Sequence, residues 1–247
     1  EVEHCNQVPV HPRHPYAGKL AFTAFSGSHQ DAIKKGFTAR QHSASERWEM
    51  PYLPVDPNDI GCSYEAVIRV NSQSGKSGAA WILEQNHGLK LPRRLQQDFS
   101  HQVQMQTDRS GREMTLADIW QLFRTLYIRY QTTEWKLLDY RSESLEDGGT
   151  SLRARIQTAD GIIQLDGKGN GLLSAAADAL KSQFRIAFAI EDYHEHTLGR
   201  HNESRSAAYI CCTFADGESH WGVCIDNDVA RASLQALLNA LPPYSRD

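Results

Sequence analysis

From Trp135 onward one order of elements is written twice, and that repeat limits the fold more than any other feature of the chain. Residues 135–144, 151–158 and 162–165 read as strands by their period-two alternation, with the turn Ala159-Asp160-Gly161 between the second and third, and an Ala/Leu-rich helix follows over residues 171–183. Residues 185–193, 207–214 and 220–225 repeat the strands, Ala215-Asp216-Gly217 repeats the turn, and residues 228–241 repeat the helix. Each βββα unit has one apolar sheet face and one apolar helix stripe, which bury each other most economically. Two in tandem predict a two-layer α+β domain with pseudo-two-fold symmetry.

Ahead of the repeat the pattern changes. Six of the nine prolines, Pro9, Pro12, Pro15, Pro51, Pro54 and Pro57, fall within the first 64 residues and mark an extended connector. One helix interrupts it over residues 28–40, with Ser28 to Asp31 as a capping box and Ala32, Ile33 and Phe37 on its apolar face. Residues 64–71 alternate like a strand or extended linker, and Ser74-Gly75-Lys76-Ser77-Gly78 punctuates them. Helical patterns follow over 79–86, 92–106 and 115–130. In the last, Thr115 and Asp118 form a capping box ahead of a stripe of Leu116, Ile119, Trp120, Phe123, Leu126, Tyr127 and Tyr130. The expected organisation is a connector over 1–75, a small all-helical subdomain over 76–131 and the repeated domain over 132–247.

Composition removes several functions. With 26 basic and 30 acidic side chains the net charge is −4, so there is no general electrostatic case for nucleic acid. No window approaches 18 apolar residues, and the first residues have neither a basic nor an apolar signal region, so no membrane role is expected and the default location is cytoplasmic. Five cysteines without framework spacing fit a reducing compartment, with Cys62, Cys211, Cys212 and Cys224 as packing residues. The chain does not begin with Met and opens in what reads as the end of a helix, which predicts a fragment of a longer protein.

Ser74-Gly75-Lys76-Ser77 looks like the end of a P-loop, but Val70 stands where that motif needs glycine. Gly167-Lys168-Gly169-Asn170-Gly171 reads as a strand-to-helix turn whose free N–H groups suit a small carboxylate, or as a tight turn alone. The spacings His11/His14 and His194/His196/His201 admit a metal, though no HExxH, CxxC or carboxylate cluster accompanies them. A stand-alone metal hydrolase using His194, His196 and His201 is therefore a weak alternative. His29 lies in the first turn of a helix, where the dipole disfavours an imidazolium and leaves the ring able to accept a proton; by itself it reads first as a surface capping residue, since a lone His does not make an active site.

Residues 6–18 and 22–36, with Phe25-Ser26-Gly27-Ser28-His29-Gln30-Asp31 at the centre of the second, resemble 2-isopropylmalate synthase in its longer bacterial form. Pro51-Tyr52-Leu53-Pro54-Val55-Asp56-Pro57 and residues 64–76 are similar to the same family, and Gly169-Asn170-Gly171, Asp192-Tyr193-His194-Glu195-His196, Ala207-Ala208-Tyr209 and Trp221-Gly222-Val223 resemble its leucine-responsive LeuA dimerisation/allosteric domain. The resemblance implies an acyltransferase that condenses acetyl-CoA with 2-oxoisovalerate in leucine biosynthesis. Its (β/α)₈ barrel, with an HxH pair and a divalent metal ion, is missing here, so no cofactor is expected in this chain and none of its residues is expected to bind metal.

The resemblance further implies a homodimer in which the connector enters the partner subunit's active site, with His29 and Tyr52 as catalytic residues. It implies leucine as effector, with Leu173, Ile190 and Ile225 forming the isobutyl slot, although without the resemblance these three residues read as ordinary core. Gly169, Asn170 and Gly171 would serve the carboxylate, and Tyr193, Thr197 and the backbone from Ser206 through Ala207 to Ala208 would close the pocket around the ammonium. Citramalate synthase, whose similar domain answers to isoleucine, is the related alternative.

Overall fold

The structure is a computed structural model that describes residues 2–18, 21–22, 27–41, 47–61, 78–111, 114–128, 135–199 and 205–242. The expected linker over 64–71, the Ser74 to Ser77 motif, Cys62, Tyr130 and His201 lie outside the described residues. Two compact units are present, one of Glu1–His87 with Gln96–Trp120 and the other of Gly88–Leu95 with Gln121–Asp247.

The described helices are α1 (Val2–Asn6), α2 (Gly27–Gln41), α3 (Gly78–His87), α4 (Arg93–Ser110) and α5 (Leu116–Tyr127), with a 3₁₀ turn over Pro57–Ile60. In the first unit Ile33 of α2 is buried with Phe22, Met50 and Leu53, and Phe37, Trp48 and Trp81 pack around them. Helix α2 begins at Gly27, so Ser28 lies inside its first turn rather than before it. The capping box of α5 forms as expected. Thr115 N and Oγ1 donate to Asp118 Oδ2 at 2.9 and 2.7 Å, and Asp118 N donates back to Thr115 Oγ1 at 3.2 Å.

The second unit contains the repeat: β1 (Lys136–Ser144), β2 (Thr150–Thr158), β3 (Gly161–Gly169), α6 (Leu172–Phe184), β4 (Phe188–Leu198), β5 (Arg205–Phe214), β6 (Ser219–Asp226) and α7 (Val229–Ala240). The strands form two antiparallel three-stranded sheets, β1-β2-β3 and β4-β5-β6. The fold is α+β, and one core joins both halves: Leu152, Ile156, Leu165 and Leu180 belong to the same buried cluster as Ile210, Cys212, Leu234 and Leu237. The pseudo-symmetry reaches into detail. The first strand of each half carries a bulge, between Leu137 and Asp139 in β1 and between Ile190 and Asp192 in β4. Each third strand has a glycine where the helix backbone comes closest: a Cβ on Gly167 would lie 2.2 Å from Ala175 O, and one on Gly222 2.1 Å from Ala236 O.

Two expectations are corrected. The third strand does not stop at Leu165, and Gly167 to Gly169 are not a turn; they continue β3 in register with Leu152 to Thr150, because glycines facing α6 let the helix approach. Strand β4 begins at Phe188 and runs on to Leu198, since residues 192–198 pair with residues 205–211. His194 and His196 therefore sit well within the strand, not at its end.

Helix α7 is buried from Ala232 to Ala240 and holds the halves together through polar side chains. Gln235 accepts from Leu137 N (2.8 Å) and donates to Trp135 O (2.9 Å), while Asn239 donates to Val223 O (2.8 Å). Buried amides thus satisfy backbone groups of β1 and β6, which are edge strands of the two sheets.

Candidate functional site

The structure brings His29 and Tyr52 together, with ring centroids 4.1 Å apart and planes inclined at 36°. The cause is local. Gly36 lies two turns along α2 from His29, and a Cβ there would be 2.5 Å from Met50 Sδ and 2.7 Å from Pro51 Cδ, so only glycine lets the Met50–Pro51 segment lie on this helix face. Leu53 N then bonds to Met50 O (3.4 Å), and Trp48 Nε1 donates to Leu53 O (2.6 Å). Pro51 and Tyr52 are the central residues of this turn, and Tyr52 has φ 61°, the left-handed value that a type II turn usually assigns to glycine. A tyrosine held in that region, 62% exposed, shows a side chain placed against conformational preference, a feature that concentrates at functional sites.

The residues expected around an effector divide by face. Register and alternation put Ile190, Tyr193, Thr197, Ser206 and Ala208 on the α7 side of the second sheet, and Ala207 and Ile225, which pair with each other, on the opposite side. Leu173 and Ile190 both pack, partly buried, against the shared core. The Tyr193 hydroxyl lies between the carboxylate of Glu195 and Ser233 Oγ, the latter at 3.0 Å. Burial, with Glu195 beside it, pushes the Tyr193 phenol above its usual range.

Gly169, Asn170 and Gly171 lead into α6. Gly169 is packed, since a Cβ there would meet Ser174 Oγ at 2.5 Å, whereas Gly171 has nothing within 4 Å. Gly171 is the N-cap of α6 and offers no side chain to its N–H groups; Asp228 in the same place on α7 accepts from Ala230 N and Arg231 N. An anion at the start of α6 would meet uncapped donors.

The remaining chemistry is structural. His194 Nε2 is 2.9 Å from Asp192 Oδ1, and His196 Nε2 is turned toward Gly88 and Lys90. Among the described residues no group of three or more His, Cys, Asp or Glu could hold a metal ion. Burial pushes the thiols of Cys212 and Cys224 up to about 12, so neither offers a thiolate nucleophile. No helix among the described residues is long and apolar enough to cross a membrane.

Comparison with known proteins decides the family. The post-catalytic domain-like family of alpha-isopropylmalate synthase matches residues 19–84, and the LeuA allosteric (dimerisation) domain matches residues 113–244. The chain belongs to the LeuA allosteric (dimerisation) domain family. It is 54% identical over 248 residues to a 2-isopropylmalate synthase of Marinomonas sp. (strain MWYL1), covering 100% of this chain and 44% of that protein. The corresponding protein of Rhodospirillum rubrum is 47% identical over 240 residues (96% of this chain, 43% of that one), and that of Thermobifida fusca (strain YX) 45% over 250 residues (97% and 43%). The chain spans less than half the length of these relatives.

The two matches divide the candidate residues between them: His29 and Tyr52 fall in the post-catalytic part, and Gly169 through Ile225 in the LeuA domain. Sequence reasoning missed Arg94, Glu191 and Tyr209. Arg94 Nη1 is 3.0 Å from Glu191 Oε1, and the buried Tyr209 Oη has no hydrogen-bond partner among the described residues. Alternation from Ile190 turns Glu191 outward, while the bulge in β4 keeps Tyr193 on the same face as Ile190, and a bulge leaves no signal in an alternating pattern.

Proposed function

We propose that this chain is the dimerising and leucine-sensing part of a cytoplasmic 2-isopropylmalate synthase, organised as a connector (1–75), a helical subdomain (76–131) and a regulatory domain (132–247). The observation that carries the reading is the LeuA allosteric (dimerisation) match over residues 113–244, which coincides with the doubled βββα fold. In the whole enzyme acetyl-CoA loses a methyl proton, the carbanion adds to the keto carbon of 2-oxoisovalerate, and water cleaves the thioester to release coenzyme A. The connector of one protomer presents His29 and Tyr52 to the barrel of its partner, where His29 moves a proton and Tyr52 orients the substrate. A divalent metal ion held by the barrel would supply polarisation of the keto group when bound. This chain supplies it no ligand cluster among the described residues.

For leucine, the uncapped start of α6 at Gly169, Asn170 and Gly171 suits the carboxylate, and Leu173 and Ile190 suit the isobutyl group. Tyr193 and Thr197 close the site with the backbone of Ser206 and Ala208. Glu195, bonded to the Tyr193 hydroxyl, adds the negative charge that an ammonium needs. Ala207 and Ile225 support this wall from the opposite face of the sheet.

Calorimetry tests the reading. Leucine should release or absorb heat on binding the folded, dimeric chain at millimolar concentration or below, with isoleucine weaker, and Leu173→Trp should abolish the signal. No heat with leucine sinks the proposal; stronger binding of isoleucine turns it toward citramalate synthase. The chain alone should show no condensation activity, and metal-dependent turnover by it would overturn that part.

A further inference from the structure

Strand β4 is an edge strand whose two faces meet different things. Its inward side chains, Ile190, Tyr193 and Thr197, are those assigned above to leucine. Its outward side chains hold the segment Gly88–Leu95. Arg94 pairs with Glu191 at 3.0 Å through Nη1 and 3.2 Å through Nη2, and Thr213 Oγ1 donates to the same carboxylate at 2.6 Å, so the contact is anchored on β5 as well. His196 Nε2 lies 3.1 Å from Gly88 O and 3.3 Å from Lys90 N. Leu89, Leu91 and Leu95 are buried, which seats the segment. In sequence it runs from the residue after α3 into the first turn of α4.

We propose that Gly88–Leu95 is a strap on the LeuA domain whose seating on β4 responds to leucine occupancy, with His196, Glu191 and Arg94 as its positioning residues. The proposal rests on the leucine reading. Because strand side chains alternate, a ligand drawn against Tyr193 and Thr197 acts on the same backbone that carries His196 and Glu191 outward. An edge strand, paired on one side only, is also the member of a sheet that shifts with least loss of hydrogen bonding. His196 Nε2 has two backbone groups of the segment within reach: bare, it accepts from Lys90 N–H, and carrying the ring hydrogen it donates to the Gly88 carbonyl.

Hydrogen exchange on the intact chain, with and without leucine, tests this alongside calorimetry on the same samples. Leucine should change exchange at the amides of residues 88–95 by at least about twofold. Arg94→Gln and His196→Gln, each at a side chain outside the leucine face, should keep the heat of leucine binding while that exchange response falls. Leucine heat in the wild type with unchanged exchange in the strap overturns the strap alone, as does a full response in both variants. Absence of leucine heat in the wild type overturns the leucine reading and the strap with it.

Discussion

Tyr52 meets His29 at 4.1 Å only by adopting a φ of 61°, so the contact between the two rings is held at the expense of backbone preference. The turn has Pro51 at its first central position and the helix face is cleared by Gly36, which together leave Tyr52 little choice of direction. Tyr52→Gly should therefore keep or raise stability, by up to about 1 kcal/mol, because glycine suits the left-handed position. In the full-length enzyme the same variant should lose turnover, and His29→Ala should lower kcat by about 10²–10⁴-fold with a smaller change in KM. Thermal unfolding and steady-state kinetics measure both; near wild-type kcat in either variant would remove that residue from the mechanism.

The glycines near the helices divide into those the fold needs and one it does not. Gly222→Ala puts a methyl group 2.1 Å from Ala236 O and 2.3 Å from Ala240 N, both backbone atoms, and should destabilise by about 1–3 kcal/mol or more. Gly171→Ala meets nothing within 4 Å and has an extended backbone, so it should unfold at nearly the wild-type denaturant midpoint. Equal losses in the two variants would contradict the packing described for α7.

Tyr209 is fully buried on β5, stacks on His196 with ring centroids 5.6 Å apart, and keeps a hydroxyl without a partner among the described residues. Desolvation alone raises its phenol. Removing an unsatisfied buried hydroxyl while keeping the ring should be neutral or stabilising by about 1 kcal/mol, so Tyr209→Phe is expected to hold or raise Tm. A loss of more than about 1 kcal/mol would show that the hydroxyl has a partner.

Asp228 caps α7 and accepts from Tyr140 Oη at 2.7 Å. That bond, more than any other contact, holds the Asp228 carboxyl below its usual range, while burial and then the same bond push Tyr140 up to about 12. A carboxyl depressed in the folded state stabilises above its unfolded pKa, near 3.9, and the contribution is lost as pH falls through the folded value. Asp228→Ala should cost about 1 kcal/mol at neutral pH. The gap between variant and wild type should narrow as the pH is taken down through about 4 and below. Denaturant midpoints across that range check it, and a gap independent of pH would refute the assignment.

What could be read from the chain alone is what depends on neighbours in sequence. The doubled βββα order, the Thr115/Asp118 box and a closing helix over residues 228–241 all follow from periods of 2 and 3.6 and from capping chemistry, which act over a few residues. His29 and Tyr52 could be picked out as candidates through a resemblance. Their contact could not, because it depends on Gly36 admitting Met50 and Pro51 from a segment 14 residues away in sequence.

Pairing register decided the rest. The bulge at Glu191 keeps Ile190 and Tyr193 on one face although they are three residues apart, and the pairing of Ala207 with Ile225 separates that pair from them. The extension of β3 through Gly169 likewise depends on how closely α6 can approach. Each follows from how one strand lies against another strand or helix. A local pattern holds no record of that, since sliding a strand by one residue leaves its own alternation unchanged while it exchanges the two faces. Thus the repeat and its elements belong to the sequence, and the division of β4 between a leucine side and a strap side belongs to the tertiary structure.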